Sequence, residues 1–450
     1  MSESVYARFF EIDTLRAEAT CKKCNIMVKR TERNTTGMRN HLERWHPKLF
    51  QALKDMRKPP MKKARTEDGS LNNSAAEFGS WPGGNIDGSL ADLDDTIVVD
   101  ALSFSETQTR DRSSEMAKIA VVGQGVIGCS SALAILQRFP KFHVSLFADR
   151  KFEETCSFVP AGLFRLDKYE YKNWARISFD RFADIYRNIG CSSGVKLVSG
   201  HIQSDNKATL ESQEKNFADI VYNFRWLDKR EMESMFVNPS QYCIHYTAYA
   251  SEGRRYVPWL REEIEKFPNV EFVQKKVNNL DELGEHFDFV INCAGIDGGK
   301  VAGDDNTVIP NRGIAIEVEA PWQTHFNYKD FVTFTIPMTN SVILGSVKQP
   351  GRCDMEITDV DRDDIWQRYL AIHPTFKDAK VLNEFCTVRP ERPNIRLESE
   401  TRKTDSGRQY QVIHNYGHGG NGFTLGWGCA LEVLDHIDGK VDSTFNQSKI

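Results

Sequence analysis

No run of apolar residues in this chain approaches the ~18–20 that a membrane-crossing helix needs. The opening residues, MSESVYARFF, hold no apolar signal-peptide core. Cysteine is sparse, 10 in 450 residues, which is too few for a disulfide framework. The thiols are therefore expected as reduced side chains or metal ligands of an intracellular protein. Glycine (30) and proline (16) stay at ordinary levels, excluding a collagen-like or wholly low-complexity chain. What remains is a chain 40% hydrophobic, long enough for two or three globular domains.

The formal net charge of -5 hides a strong polarity. Residues 1–66 hold 16 Lys/Arg against 7 Asp/Glu, or +9, and residues 67–112 hold 2 against 10, or -8. A basic head, an acidic strip and a mildly acidic body imply separate tasks. We expect ordered structure over residues 1–50. Residues 51–115 read as a disordered linker, basic in MRKPPMKKAR, then rich in Asn, Ser and Gly, then acidic. Such text cannot bury enough apolar surface to offset chain entropy. From Met116 to Ile450 apolar strand-like runs (HVSLFAD, VEFVQKKV, FDFVINCAG, IAIEVEAP, SVILGSV) alternate with helical ones (YKNWARISFDRFADIYRNI, YVPWLREEIEKF, DDIWQRYLAIHP). That order predicts an α/β or α+β body.

The head carries Cys21-x2-Cys24 and His41-x4-His46, with sixteen residues between the pairs. Tetrahedral zinc takes two thiolates from a tight turn and two imidazoles from one helix face, here expected over Thr36–Trp45. So small a module would fold largely on its metal. The leading aromatic stretch Val5–Phe10, the CKKC pair, Thr36, Met38–Leu42 and Trp45-His46-Pro47 resemble a BED-type zinc finger. The resemblance implies zinc held by Cys21, Cys24, His41 and His46, and DNA as partner. Arg33, Arg39 and Arg44 are candidate phosphate contacts, which the +9 charge suits. A solvated basic surface or a protein-interaction finger is the alternative.

In the body, Gly123-Gln124-Gly125-Val126-Ile127-Gly128 follows the apolar run Lys118–Val122 and opens a helical pattern. The first glycine permits the turn, the second lets a pyrophosphate approach the backbone, and the third allows close helix–strand packing. Asp149 ends the next strand, 21 residues beyond Gly128, where an acid bonds adenosine ribose hydroxyls. This predicts a Rossmann-type dinucleotide-binding domain beside a mixed-sheet substrate domain. The fingerprint does not choose between NAD and FAD. A second glycine-rich helix start, His414–Leu434, suits a long cofactor gripped at both ends.

The ordered motifs VVGQGVIG, Leu146–Arg150, Val159–Leu163, Ile291–Gly295, Glu319–Trp322, Val388–Glu398 and His414–Gly420 resemble the D-amino-acid oxidase and D-aspartate oxidase family over Lys118–Asp435. The resemblance implies non-covalent FAD. Gly123, Gly125, Val126, Ile127 and Gly128 would hold its pyrophosphate, and Asp149 and Arg150 its adenosine part. Thr155, Cys156 and Ser157 occupy the flavin segment, with Cys156 departing from a usual threonine. Val277, Gly422 and Thr424 are further contacts. It also implies oxidation of a D-amino acid to the 2-oxo acid, with ammonia and hydrogen peroxide released and O2 consumed. Arg389 matches the carboxylate-binding arginine, the carbonyl of Gly420 matches the acceptor of the substrate amine, and His418 shapes the turn rather than acting as a base.

Phe334 stands where the family places a carboxylate-binding tyrosine, and Tyr328 is a candidate replacement. Lys348 stands where the D-aspartate branch carries an arginine for the side-chain carboxylate. The reading therefore leans to acidic D-amino acids, D-aspartate or D-glutamate. The alternative is a DNA-binding protein whose oxidase-like body is catalytically degraded and senses a ligand. Ser448-Lys449-Ile450 resembles a peroxisomal address, whereas the basic head points to the nucleus. A shorter product beginning at Met116 is expected, no membrane partner is, and a homodimer is left open.

Overall fold

A computed structural model describes the backbone of residues 10–13, 18–21, 27–29 and 116–447, with side chains for 116–439. The chain divides into two compact units, Met1–Arg112 and Ser113–Ile450. The first contains a small antiparallel sheet of β1 (Phe10–Asp13), β2 (Glu18–Cys21) and β3 (Met27–Lys29). Phe10 pairs with Cys21, so that cysteine's backbone ends the central strand. The side chain of Cys21, together with Cys24, His41, His46, the Thr36–Trp45 helix, the three arginines, the linker and the last three residues, lies outside the described residues. Among the described residues no helix is long and apolar enough to cross a membrane.

The second unit is built on one sheet of thirteen strands among the described residues. Its parallel end runs β9 (Val270–Gln274), β5 (His143–Ala148), β4 (Lys118–Val122), β10 (Phe289–Asn292) and β16 (Gln409–His418). Strand β4 is KIAVV with its last four residues buried, the continuous apolar text of a strand covered on both faces. From β16 the sheet turns antiparallel through β15 (Lys380–Lys403), β11 (Ile309–Glu319), β14 (Val342–Pro350), β13 (Thr333–Pro337) and β12 (Phe326–Lys329). It finishes with β6 (Val195–Ser204), β8 (Tyr242–Ser251) and β7 (Tyr222–Trp226).

The expected strands and helices appear close to their sequence limits, and the long β15 was unmarked in the sequence. It carries Pro390 and Pro393, which remove ladder donors. Pro393 falls in a register break against β16, between Glu391 and Arg396, and Pro390 sits just before it, opposite Pro310 of β11. Thus β15 changes alignment at the segment that faces the ligand cleft.

The principal helices are α1 (Val126–Arg138), α2 (Lys172–Asn188), α3 (Lys207–Phe217), α4 (Gly253–Glu265), α5 (Asp359–Leu370) and α6 (Gly422–Gln447). α6 packs on α1 and α2. A Cβ at Gly428 of α6 would lie 2.3 Å from the carbonyl oxygen of Trp174 in α2, and the Gly428 N–H donates to Ser178 Oγ at 3.0 Å. The obstacle is backbone, so it cannot swing aside. We predict that Gly428→Ala destabilises the body by about 1–3 kcal/mol through overpacking. Gly439→Ala, with open space at its Cβ, should stabilise it by up to ~1 kcal/mol through helix propensity. Denaturant midpoints of the two variants check this, and an unchanged Gly428→Ala midpoint would refute it.

Candidate active site

The turn after β4 is shaped by steric necessity. Gly123 has φ +114°, and a Cβ there would lie 2.3 Å from the Cys293 carbonyl oxygen. A Cβ on Gly128 would lie 1.9 Å from the Gly123 carbonyl, so α1 starts hard against its own turn. Gly125 caps α1 with no side-chain bond to the free amides, and the first turn holds no acid. The Val126 N–H donates to Ser157 Oγ at 3.1 Å. The remaining amides and the positive end of the helix dipole face a cleft, an arrangement fitted to an anionic group.

The cleft measures about 980 Å³. That is the upper end for a ligand pocket and suits an extended, two-part ligand. Gly123, Gly125, Val126 and Ile127 line it, with Asp149 and Arg150 from the end of β5. Gly128 lies behind the turn. Arg150 pairs with Asp149 at 3.6 Å and also with Asp297. Thr155, Cys156 and Ser157 line the same wall, as do Val277, Gly422 and Thr424. Burial pushes the Cys156 thiol up, against the opposing pull of Arg389. The hydroxyl of Thr424 is committed elsewhere: it donates to the Arg165 carbonyl at 3.1 Å and accepts from the Arg165 N–H at 3.4 Å.

The other end of the cleft holds Arg389, Gly420, Lys348, Phe334 and Tyr328. Arg389 lies on β15 opposite β11, where a Cβ on Gly313 would fall 2.2 Å from its Nη1. Only a glycine there leaves the guanidinium its place. Its Nη2 donates to Ser346 Oγ at 3.4 Å, while Nη1 is buried with no partner. Burial works against its charge. A buried, unpaired guanidinium N–H is costly and calls for an anion.

Phe334 and Tyr328 are cross-strand partners on β13 and β12, and their rings stack at 5.0 Å and 30°. Phe334 contributes an apolar wall, and the phenol of this pair is on Tyr328. Burial raises the Tyr328 pKa, Arg165 opposing, so the hydroxyl keeps its proton. His418 is buried with Nε2 unpartnered, and burial pushes its pKa down to about 3. It is a neutral ring and a feeble base, leaving a nitrogen that a bound ligand can satisfy.

Lys348 is exposed to the cleft at the end of β14. The protein around its ammonium lowers its pKa first, then Arg165, to about 8; Asp167 pulls it back, Arg389 lowers it again and Glu391 raises it. Two of these neighbours, Arg165 and Asp167, were absent from the sequence reading. They follow the AGL motif as Phe-Arg-Leu-Asp, and nothing in their spacing signals a site. Arg165 Nη1 pairs with Asp167, and its guanidinium stands 4.9 Å from the Phe331 ring and 6.0 Å from that of Tyr328.

Comparison with known proteins agrees with this geometry. The family model for FAD dependent oxidoreductases (DAO) matches residues 118–436, and that for the BED zinc finger matches residues 4–47. The chain is 54% identical over 336 residues to D-aspartate oxidase 1 of Caenorhabditis elegans, covering 74% of this chain and 99% of that protein. It is 32% identical over 329 residues to human D-aspartate oxidase, covering 71% and 94%. In fold it is similar to glycine oxidase from Geobacillus kaustophilus, at TM-score 0.58 and 15% identity, over 71% of this chain and 94% of that one. With its glycine cradle, its two-part cleft and its arginine-lined end, the chain belongs to the FAD-dependent oxidoreductases of the D-amino-acid oxidase and D-aspartate oxidase family, and it carries an N-terminal BED zinc finger.

Proposed function

We propose that the body oxidatively deaminates acidic D-amino acids, D-aspartate or D-glutamate, to 2-oxo acids with ammonia and hydrogen peroxide. The observation that carries the reading is the charge at the substrate end. The charged groups acting on Lys348 are Arg165, Asp167, Arg389 and Glu391, and Glu391 and Arg165 also act on Arg389. Three cations face two carboxylates, leaving one positive charge in excess. A dicarboxylic amino acid brings one net negative charge and closes that balance; a monocarboxylic zwitterion leaves a charge uncompensated in a poorly solvated space. The names of the relatives, D-aspartate oxidases at 54% and 32% identity, point the same way.

Gly123, Gly125, Val126 and Ile127 would cradle the FAD pyrophosphate, with Gly128 setting the helix against the turn. Asp149 and Arg150 would meet the adenosine part, Thr155, Cys156 and Ser157 would border the flavin, and Val277, Gly422 and Thr424 would be further FAD contacts. When bound, FAD supplies the acceptor for the Cα hydrogen as hydride and for electrons that end on O2. The chain's own residues position the substrate. Arg389 takes the α-carboxylate through its free Nη1, the Gly420 carbonyl accepts from the amine, and Phe334 and Tyr328 wall the site.

Truncating one partner of a buried charge pair costs about 2–5 kcal/mol. We therefore expect Arg389→Ala to lower kcat/KM in a peroxide-release assay by at least ~30-fold. Retained activity in that variant would refute the role. Lys348 supplies a pH signature. It is cationic below about 8 and neutral above, so attraction for a second carboxylate is present below that pH and lost as pH rises through it. The expected result is that kcat/KM for D-aspartate, relative to D-alanine, falls above about pH 8 and that Lys348→Met removes this limb. A relative profile flat through pH 8 would argue against a carboxylate at Lys348.

We further propose that residues 1–50 bind duplex DNA through a zinc site of Cys21, Cys24, His41 and His46, supported by the +9 charge of residues 1–66. The basic head and the Ser448–Ile450 tail are offered as competing nuclear and peroxisomal addresses. If Arg33, Arg39 and Arg44 each neutralise one phosphate, log affinity should fall with log salt at a slope near ~-3. Chelating zinc should release the DNA while the flavin stays bound. DNA binding indifferent to salt and chelator would overturn this part.

A further inference from the structure

Arg165 stands on an unusually well-held segment. Beyond the two bonds from Thr424, the Asp167 N–H donates to Asn421 Oδ1 at 3.0 Å, and Asn421 Nδ2 donates to Asp167 Oδ2 at 2.7 Å. From α3, Asn216 Nδ2 donates to the carbonyls of Leu166 and Asp167 at 3.1 and 3.0 Å. Leu166 between them is fully buried. The backbone of these three residues is thus fixed from the start of α6 and from α3. The side chain is fixed by Asp167 and by the Phe331 ring, itself held at φ +56° in the tight β12–β13 turn. Only 14% of the Arg165 side chain is exposed, and that exposure opens on the cleft and on a neighbouring cavity of about 520 Å³. Asp167 pairs with the guanidinium and holds it, and with Lys348, Arg389 and Glu391 also acting there the group as a whole keeps one positive charge in excess.

Building on the acidic-substrate reading above, we propose that Arg165 is the specificity-determining residue, whose guanidinium fork takes the side-chain carboxylate of a dicarboxylic D-amino acid while Arg389 takes the α-carboxylate. Lys348 adds a second, mobile charge. The physical ground is the difference between the two cations: a preorganised planar fork loses little freedom on binding a carboxylate, whereas a lysine on a flexible stem loses more. Asp167 and Asn421 are positioning residues that aim the fork.

The test uses the full chain loaded with FAD. In peroxide-release assays, Arg165→Gln should lower the ratio of kcat/KM for D-aspartate over D-alanine by ~30-fold or more. Arg165→Lys, which keeps the charge and loses the fork, should fall between Arg165→Gln and wild type, and Lys348→Met should lower the ratio by less than Arg165→Gln. A second readout needs no turnover: flavin absorbance titrated with succinate and with butyrate. Wild type should bind succinate more tightly, and Arg165→Gln should erase the difference. The proposal is overturned if Arg165→Gln lowers both substrates in parallel, if Lys348→Met does the greater damage, or if the preference for succinate survives in Arg165→Gln. An Arg165→Gln protein that does not fold leaves Arg165→Lys to decide by the same two readouts. A wild type that makes no peroxide from D-aspartate, yet prefers succinate in an Arg165-dependent way, would sink the oxidase reading of the substrate and keep this one.

Discussion

Three cationic side chains, Arg165, Lys348 and Arg389, line one cleft, the two guanidiniums largely shielded and the ammonium exposed to it. Left to themselves they would repel each other, and the two shielded guanidiniums would gain by moving toward water. Arg389 is seated by the absence of a side chain at Gly313, Arg165 by Asp167 and the clamp from α6 and α3, and Lys348 by the fixed end of β14. The electrostatic cost of assembling them is offset when an anion of matching charge arrives. An arrangement costly when empty and balanced when filled favours the binding of an anion.

The same reasoning joins the two ends of the cleft. At one end, backbone amides and a helix terminus present diffuse positive charge to a phosphate-bearing group, and glycines let the backbone come close. At the other, side-chain cations present localised charge to carboxylates. α6 ties them together. Its first turn lines the cleft with Gly422, and Thr424 of that turn and Asn421 just before it hold the Arg165 segment. A displacement of that turn would disturb the cofactor wall and the substrate charge at once, so the two sites are mechanically one.

How far the sequence could be read followed from how local each interaction is. The glycine fingerprint, the acid ending β5 and the Arg-Pro motif depend on neighbours a few residues away, and the structure brings them into one cleft along with Lys348, Gly420 and Phe334. Arg165 was illegible. Its significance comes from Thr424 and Asn421, more than 250 residues away, and from Lys348 across the sheet. Thr424 shows the converse. Its place beside the cleft was readable, but its hydroxyl is spent on the Arg165 backbone. β15 went unmarked because prolines speak against a strand, and only the register break beside β16 shows how Pro393 is tolerated.

By itself, then, the sequence determined the α/β order of the body, the glycine cradle that follows β4, the spacing of Cys21-Cys24 and His41-His46, and the membership of a flavin-dependent oxidase family. These are properties of short-range spacing and of steric limits on single residues, which survive without knowledge of the fold. Only the tertiary structure decided which cations share that end of the cleft, which of their donors remain unpaired, and that Tyr328 stacks on Phe334 there. Charge balance in a closed space depends on distance and solvent exclusion, and both arise when strands and helices far apart in the chain are packed together.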